Sequence, residues 1–418
     1  MHSEVAESVK CSFCGFPSGR PFLSLGSMEL AGAFKKRAND IQQSFPLELT
    51  FCENCYGVEV LEKIDPTLLF SDYFYFSSKI GTLINHFEDY ARTLGDRLLI
   101  EPGNTSVLEI GCNDGILLKP LLENGYRTVI GVDPAKNVIS QIDLDDIILY
   151  PEFFSEELAS KILNEHGPLD IVVANNVFAH INYISGAIKG VKRILSETGT
   201  FIFEVHSLKE LLAKQQFDMI YHEHVYYYSA LSCVKIFSLY DLCVYDVENI
   251  GSHGGSLRVF VTHPQNMKNI NSTGNLSKIL KEESFFGLDN YKTFLNYGSA
   301  VASWREKFSS KLAEFKASGK RIFGYGASGR ANTLLQYCGI DHKTIDVMLD
   351  DNPAKHGHFT PGSNIPIKDP SYLKTVSADV IVIFAWTFSD EITRRLKALD
   401  VKAELLVPLP EIRSLKGH

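Results

Sequence analysis

The chain has 418 residues, of which 45% are hydrophobic and 22% charged, and a formal net charge of -9. That length accommodates two or three cores, and the acidic balance excludes a binder that tracks nucleic-acid phosphates, whose mark is a basic face. No apolar run is long enough to span a bilayer and residues 1–7 lack the basic and apolar regions of a signal peptide, so a cytoplasmic protein with neither membrane nor nucleic acid as partner is expected.

In chain order, the first motif is a pair of pairs: Cys11 with Cys14, then Cys52 with Cys55, each spaced C-x-x-C. In a reducing compartment the eight cysteines are not expected to form disulfides, and a redox dithiol needs only one such step. Two thiolates from each turn close a tetrahedron around zinc and lend folding energy to a segment too small to bury a core. Four protein ligands leave no open position, so the predicted metal is structural. Cys112, Cys233, Cys243 and Cys338 stand singly and read as small buried hydrophobes. Between the pairs, Lys35, Lys36 and Arg37 form a basic tip that is either a solvated turn or a phosphate contact. Residues 72–79, with Tyr75 among them, are rich in aromatic rings, and a helix over 82–99 leads into the next strand.

Residues 107–115 are an apolar run that ends in an acid and a glycine-punctuated turn: Glu109, Gly111, Asn113, Asp114, Gly115. This predicts strand, tight loop and helix, with Gly111 and Gly115 letting the backbone approach a ligand closely. The spacing E-x-G-x-x-x-G differs from the G-x-G-x-x-G that seats a pyrophosphate. S-adenosylmethionine has no phosphate, and its sulfonium and amino-acid end suit the carboxylates and carbonyls of such a loop. A second strand, 128–133, ends at Asp133, placed to accept both hydroxyls of a ribose. A third, 169–174, runs into Asn175, Asn176 and, four residues later, His180. Ligands of open parallel sheets gather at the carboxyl ends of strands, so Glu109, Asp133 and Asn175 are expected to line one crevice.

A helix over 184–196 and a strand over 199–205 continue the sheet. Residues 221–229 then pack Tyr221, His222, Glu223, His224 and three further tyrosines together. An imidazole beside a carboxylate suits a general base. Metal binding through His222 and His224 is a second reading, although H-x-H lacks the i, i+4 face of a zinc helix, and aromatic packing is a third. The alternating runs 242–249 and 256–261 predict an antiparallel pair that finishes the sheet. A polar stretch, 266–278, marks a boundary before a long helix over 289–317. Gly324, Gly326 and Gly329 then match G-x-G-x-x-G, with Asp350 at the spacing of a ribose acid, and 378–384 adds a parallel strand. That unit alone would suggest an NAD(P)-dependent oxidoreductase, the runner-up function, although such a unit also holds nucleotide sugars or merely packs.

Together these motifs resemble the S-adenosylmethionine-dependent deoxysugar C-methyltransferases. The resemblance rests on the two cysteine pairs, the 109–115 loop, Asn175 to His180, the run Tyr221, His222, Glu223, His224, the run His253 to Arg258, and Gly324 to Ala327 with Asn332 to Leu335. It implies an α/β architecture of a zinc-binding unit (1–66), a class I methyltransferase doubly wound sheet (67–264) and a Rossmann-like C-terminal α/β domain that helps bind a nucleotide sugar (265–418). The resemblance further implies methylation at C-3, rather than C-5, of a nucleotide-linked 4-keto-deoxysugar. Here His224 matches the base, with Tyr221, Glu223, Asn176, His180 and Tyr75 around the sugar; a monomer or homodimer is expected. Ser328, Gly329 and Arg330 depart from the residues that many relatives carry after the paired glycines.

Overall fold

Apolar runs with β-branched residues at nearly every position make strands buried on both faces, and three such runs seed the central sheet. A computed structural model describes residues 9–17, 19–70, 76–79, 81–251, 254–268, 270 and 272–415. The N-terminal segment contributes β1 (Gly19–Glu29), β2 (Ser44–Cys52) and β3 (Val58–Val60). The middle of the chain contributes β4 (Ser106–Ile110), β5 (Thr128–Val132), β6 (Ile147–Tyr150), β7 (Leu169–Asn175), β8 (Leu195–His206), β9 (Tyr226–Tyr227), β10 (Cys243–Ile250) and β11 (Ser256–Thr262). The C-terminal part contributes β12 (Ile322–Tyr325), β13 (Val347–Leu349), β14 (Ile367–Lys368), β15 (Val380–Ile383), β16 (Glu404–Val407) and β17 (Arg413–Leu415).

The central sheet has the order β10-β11-β8-β7-β4-β5-β6. From β6 to β8 the neighbours are parallel, and β11 enters antiparallel between β8 and β10. The order reverses between β4 and β7, which opens the crevice where ligands of such sheets bind. Leu108, Ile110, Val172 and Ala174 pack into one face's core while Val107, Val129, Ile171 and Val173 fill the other. The third sheet, β14-β13-β12-β15-β16-β17, is parallel except for β17.

Two local expectations shift. The helix expected over 184–196 is Ile184–Ile194, because Leu195 is already extended and pairs with Leu169. Strand β9 lies between His224 and the following helix in sequence, yet it pairs antiparallel with β3 and completes the N-terminal sheet, β1-β2-β3-β9.

The long helix Tyr291–Ala317 binds the sheets together. Phe294 stacks on Phe51 of β2 at 4.3 Å between centroids, and Trp304 donates to the Pro408 carbonyl at 2.9 Å. Where that helix crosses β1 it carries Gly298, and a Cβ there would stand 2.3 Å from the Phe22 carbonyl oxygen. At its far side the central sheet is held to the helix Gly81–Leu98 by Arg97, which reaches Asp246 at 2.7 Å and Glu248 at 2.6 Å.

Candidate active site

The N-terminal cysteines converge. Cys11 Sγ lies 3.7 Å from Cys55 Sγ and Cys14 Sγ 3.6 Å from Cys52 Sγ, with all four sulfurs within 4.8 Å of one another. A disulfide would need about 2.05 Å, whereas the edge of a tetrahedron built on Zn–S bonds of about 2.3 Å is about 3.8 Å. The four thiols therefore fit zinc. Among the described residues no other group of three or more His, Cys, Asp or Glu side chains is arranged to hold a metal. His222 does not join His224 on an ion: it is buried and its Nε2 meets the Pro46 carbonyl at 3.1 Å, against the edge of Phe45.

The ends of β4, β5 and β7 meet at a cavity of about 470 Å³, on whose wall stand Gly111, Asn113, Asp133, Asn175, Asn176 and His180. Gly111 is the tightest point of the loop. Its φ is +71°, and a Cβ there would fall 2.5 Å from Val177 Cγ2. Asp133 stitches the loop down by accepting from the backbone N–H of Asn113 and of Ala135, both at 2.9 Å. Asn113 Oδ1 in turn accepts from the Ser77 N–H at 2.9 Å.

Asp114 does not turn toward the cavity. Its carboxylate accepts the Ser78 hydroxyl at 2.6 Å and the Ser78 N–H at 3.1 Å, so it anchors residues 76–79 instead. Gly115 faces Ile142, 3.2 Å from where a Cβ would sit. Glu109 is 2% exposed, and burial pushes its carboxyl well above the ordinary carboxylate range. Its Oε1 touches Asn175 Nδ2 at 3.5 Å, while Glu109 Oε2 and Asn175 Oδ1 are buried without a partner. Buried acceptors left open are costly unless a ligand supplies donors, and the ammonium end of S-adenosylmethionine is such a donor. The residues present fit that cofactor.

Gly111→Ala tests the loop directly. Strain at a positive φ of about 1–2 kcal/mol, added to the clash with Val177, is expected to weaken S-adenosylmethionine binding by about tenfold or more by isothermal titration. An unchanged dissociation constant would show that the loop tolerates a side chain and does not touch the donor.

Next to the cavity lies a neutral histidine pair. A carbonyl only accepts, so the 2.7 Å contact of His224 Nδ1 with the Met219 carbonyl makes Nδ1 the protonated nitrogen. Its Nε2 then carries the lone pair and accepts from the Tyr221 hydroxyl at 2.9 Å. Burial, reinforced by the His180 imidazole, holds His224 well below the ordinary histidine range. His180 stands with its ring centroid 4.9 Å from that of His224, and its Nδ1 donates to the Glu223 carbonyl at 2.6 Å. Asn176, held at φ +55°, donates its N–H to the Glu204 carbonyl at 2.8 Å.

Among the described residues, His180 and Asn176 reach the cavity wall, while His224 and Tyr221 sit one ring further back. The expectation that the Glu223 carboxylate orients the imidazole differs from the geometry: Met219 and Tyr221 hold that ring. The Glu223 side chain packs toward Gly32, and burial raises it to about 7. Tyr75 and His253 fall outside the described residues.

The C-terminal glycine loop is tied up internally. Asp350, the expected ribose acid, accepts from the Ala327 N–H at 2.7 Å, the Asn352 N–H at 2.9 Å and Lys355 Nζ at 3.2 Å. Sequence reasoning missed Met219, because a backbone carbonyl leaves no mark in the residue types. It also missed Asp218, a fully buried acid reached across the domains by Arg330 and Trp386.

Three families match successive parts of the chain: "Putative zinc binding domain" over residues 11–70, a methyltransferase domain over 84–247 and a C-methyltransferase C-terminal domain over 251–410. The last covers the glycine loop that suggested an oxidoreductase. C-methyltransferase NovU of Streptomyces niveus is 31% identical, spanning 100% of this chain and 99% of that protein. Among solved structures, the S-adenosylmethionine-bound magnesium protoporphyrin IX methyltransferase of Synechocystis PCC 6803 is 14% identical with a TM-score of 0.32, over 44% of this chain and 78% of that one. PH0226 protein of Pyrococcus horikoshii OT3 is 16% identical with a TM-score of 0.34, over 48% of this chain and 96% of that one. With a zinc-ready cysteine cluster, a class I sheet and a full-length likeness to NovU, the chain belongs to the C-methyltransferase family, as an S-adenosylmethionine-dependent enzyme.

Proposed function

We propose that the enzyme methylates C-3 of a nucleotide-linked 4-keto-deoxysugar, in the making of a branched sugar, through an enolate generated by His224. The observation that carries the reading is the state of His224: half-buried, with Nδ1–H fixed on the Met219 carbonyl, the Nε2 lone pair on the side of Tyr221 and the ring held well below the ordinary histidine range by desolvation. A ketone acidifies the hydrogen on the adjacent ring carbon, and a base in hydrogen-bond reach removes it.

Proton transfer to Nε2 displaces the Tyr221 hydroxyl, which becomes free to donate to the oxygen charge that develops on the ketone. His180 and Asn176, on the cavity wall, position the sugar. Gly111, Asn113 and Asp133 shape the donor side, Asp133 toward the ribose, while Glu109 and Asn175 face the donor's amino-acid end. S-adenosylmethionine supplies an electrophilic methyl group on a sulfonium.

The test is mass spectrometry of the protein incubated with thymidine- and guanosine-linked 4-keto-6-deoxysugars. Addition of a single methyl located at C-3 by NMR is expected, together with solvent deuterium entering C-3 when the donor is omitted. Methyl on C-5 or on an oxygen would refute the assignment of the ring position or of the chemistry.

A further inference from the structure

Residues Phe217–Met219 form one short 3-10 turn, closed by the Met219 N–H on the Gln216 carbonyl and the Ile220 N–H on the Phe217 carbonyl, each at 3.0 Å. So small an element cannot fix its own orientation. Its surroundings come instead from the C-terminal part of the chain. Phe217 packs edge-on against Trp304 at 4.8 Å and against Tyr337 at 5.7 Å. Asp218, with no exposed surface, accepts from Arg330 Nε and from Trp386 Nε1, both at 2.8 Å. The guanidinium lies over the Trp386 ring, 4.9 Å from its centroid. The next residue is Met219, whose carbonyl sets the tautomer of His224.

We propose that the Asp218–Arg330 ion pair, braced by Trp386, is the clamp through which the C-terminal unit fixes the placement and tautomer of His224. A buried ion pair is a poor source of stability, since desolvation offsets most of its attraction, but its directional bonds allow one arrangement of the groups it joins. Displacing Asp218 moves the Met219 carbonyl, and the neutral imidazole then exchanges its proton between the two nitrogens. Arg330, Asp218 and Trp386 are thus positioning residues. The proposal rests on His224 as the base for its meaning in turnover, and on the geometry alone for its effect on the ring.

The test uses the full-length protein with 15N-labelled histidine, the His224 signals being assigned by their loss in His224→Asn. In the wild type a single Nδ1–H tautomer is expected. Arg330→Gln is expected to give a mixed-tautomer signature and to lower kcat on the order of a hundredfold, the scale of a catalytic group displaced by about an ångström, while the KM for S-adenosylmethionine stays put. Trp386→Phe keeps an aromatic face under the Arg330 guanidinium and removes the N–H, so it serves where Arg330→Gln fails to fold, with a smaller effect in the same direction. The double variant Asp218→Asn, Arg330→Gln is expected to lose no more than the worse single one, because the two act as a unit.

The groups that face His224 are Tyr221, His180, His206 and Arg330. Removing the Arg330 cation favours the imidazolium, so the acid limb of the kcat profile is expected to move toward neutral pH in Arg330→Gln. Wild-type ring signals in both variants overturn the clamp, whatever the turnover. Near-normal turnover of His224→Asn overturns the base instead, and the tautomer readout still decides the clamp.

Discussion

His224→Asn is expected to bind S-adenosylmethionine as the wild type does and to transfer methyl slower on the order of a hundred- to ten-thousandfold, the range lost with a general base. The two effects separate because the ring lies beside His180, off the cavity wall on which Gly111, Asn113 and Asp133 stand. Asparagine keeps a polar group near the Met219 carbonyl but has no nitrogen lone pair to receive a proton. Deuterium entry into the substrate carbon, read without donor, should vanish along with turnover. If exchange persists at the wild-type rate, another group takes the proton.

On the proposed base role, the same residue sets the pH response of the wild type. Burial lowers its pKa, so the native ring is neutral wherever pH exceeds that depressed value. The rate should accordingly stay level through the ordinary histidine range and fall only at more acid pH. An acid limb centred on the pKa of a free histidine would mean that the ring is solvated during turnover.

Removing zinc is the second large effect. Structural zinc in small cysteine modules contributes about 10 kcal/mol or more to folding, and here Cys11, Cys52 and Cys55 are buried at the base of the N-terminal sheet with Phe13. Cys52→Ser, or prolonged chelation, is expected to abolish metal content by plasma mass spectrometry, to lower the melting temperature and to extinguish methyl transfer. Activity goes because β9, hydrogen-bonded to β3 through Tyr226 and Tyr227, begins two residues after His224. Loosening the sheet frees the strand that follows the His224 segment. Full activity in protein demonstrably free of metal would rule out that dependence.

The parts of this design that local chemistry dictates are legible in the residues. Buried parallel strands read as apolar runs, so β4, β5 and β7 stand out with their terminal Glu109, Asp133 and Asn175, and thiol spacing announces Cys11, Cys14, Cys52 and Cys55 before any fold is known. What escaped depends on partners that residue types do not announce, either distant in the chain or on the backbone. Asp114 reads as a cofactor acid until Ser78 is seen to occupy it. Glu223 reads as the orienting carboxylate, although a main-chain carbonyl at Met219 does that work. Arg330 reads as part of a nucleotide loop, and only packing brings it to Asp218. The two residues of β9 are too few to show an alternation.

That crossing strand sets an order of events at the ribosome. The metal-binding segment is made first, yet β3 keeps an unpaired edge until the whole donor-binding sheet up to β8 has been synthesised and Tyr226 and Tyr227 have emerged. Until then the nascent protein presents an open template to other nascent chains, and the long loop it must close favours slow maturation. The last stitch of the first-made unit is thus also the step that seats the His224 segment, so a chain interrupted before that point has neither a finished sheet nor an anchored His224 turn.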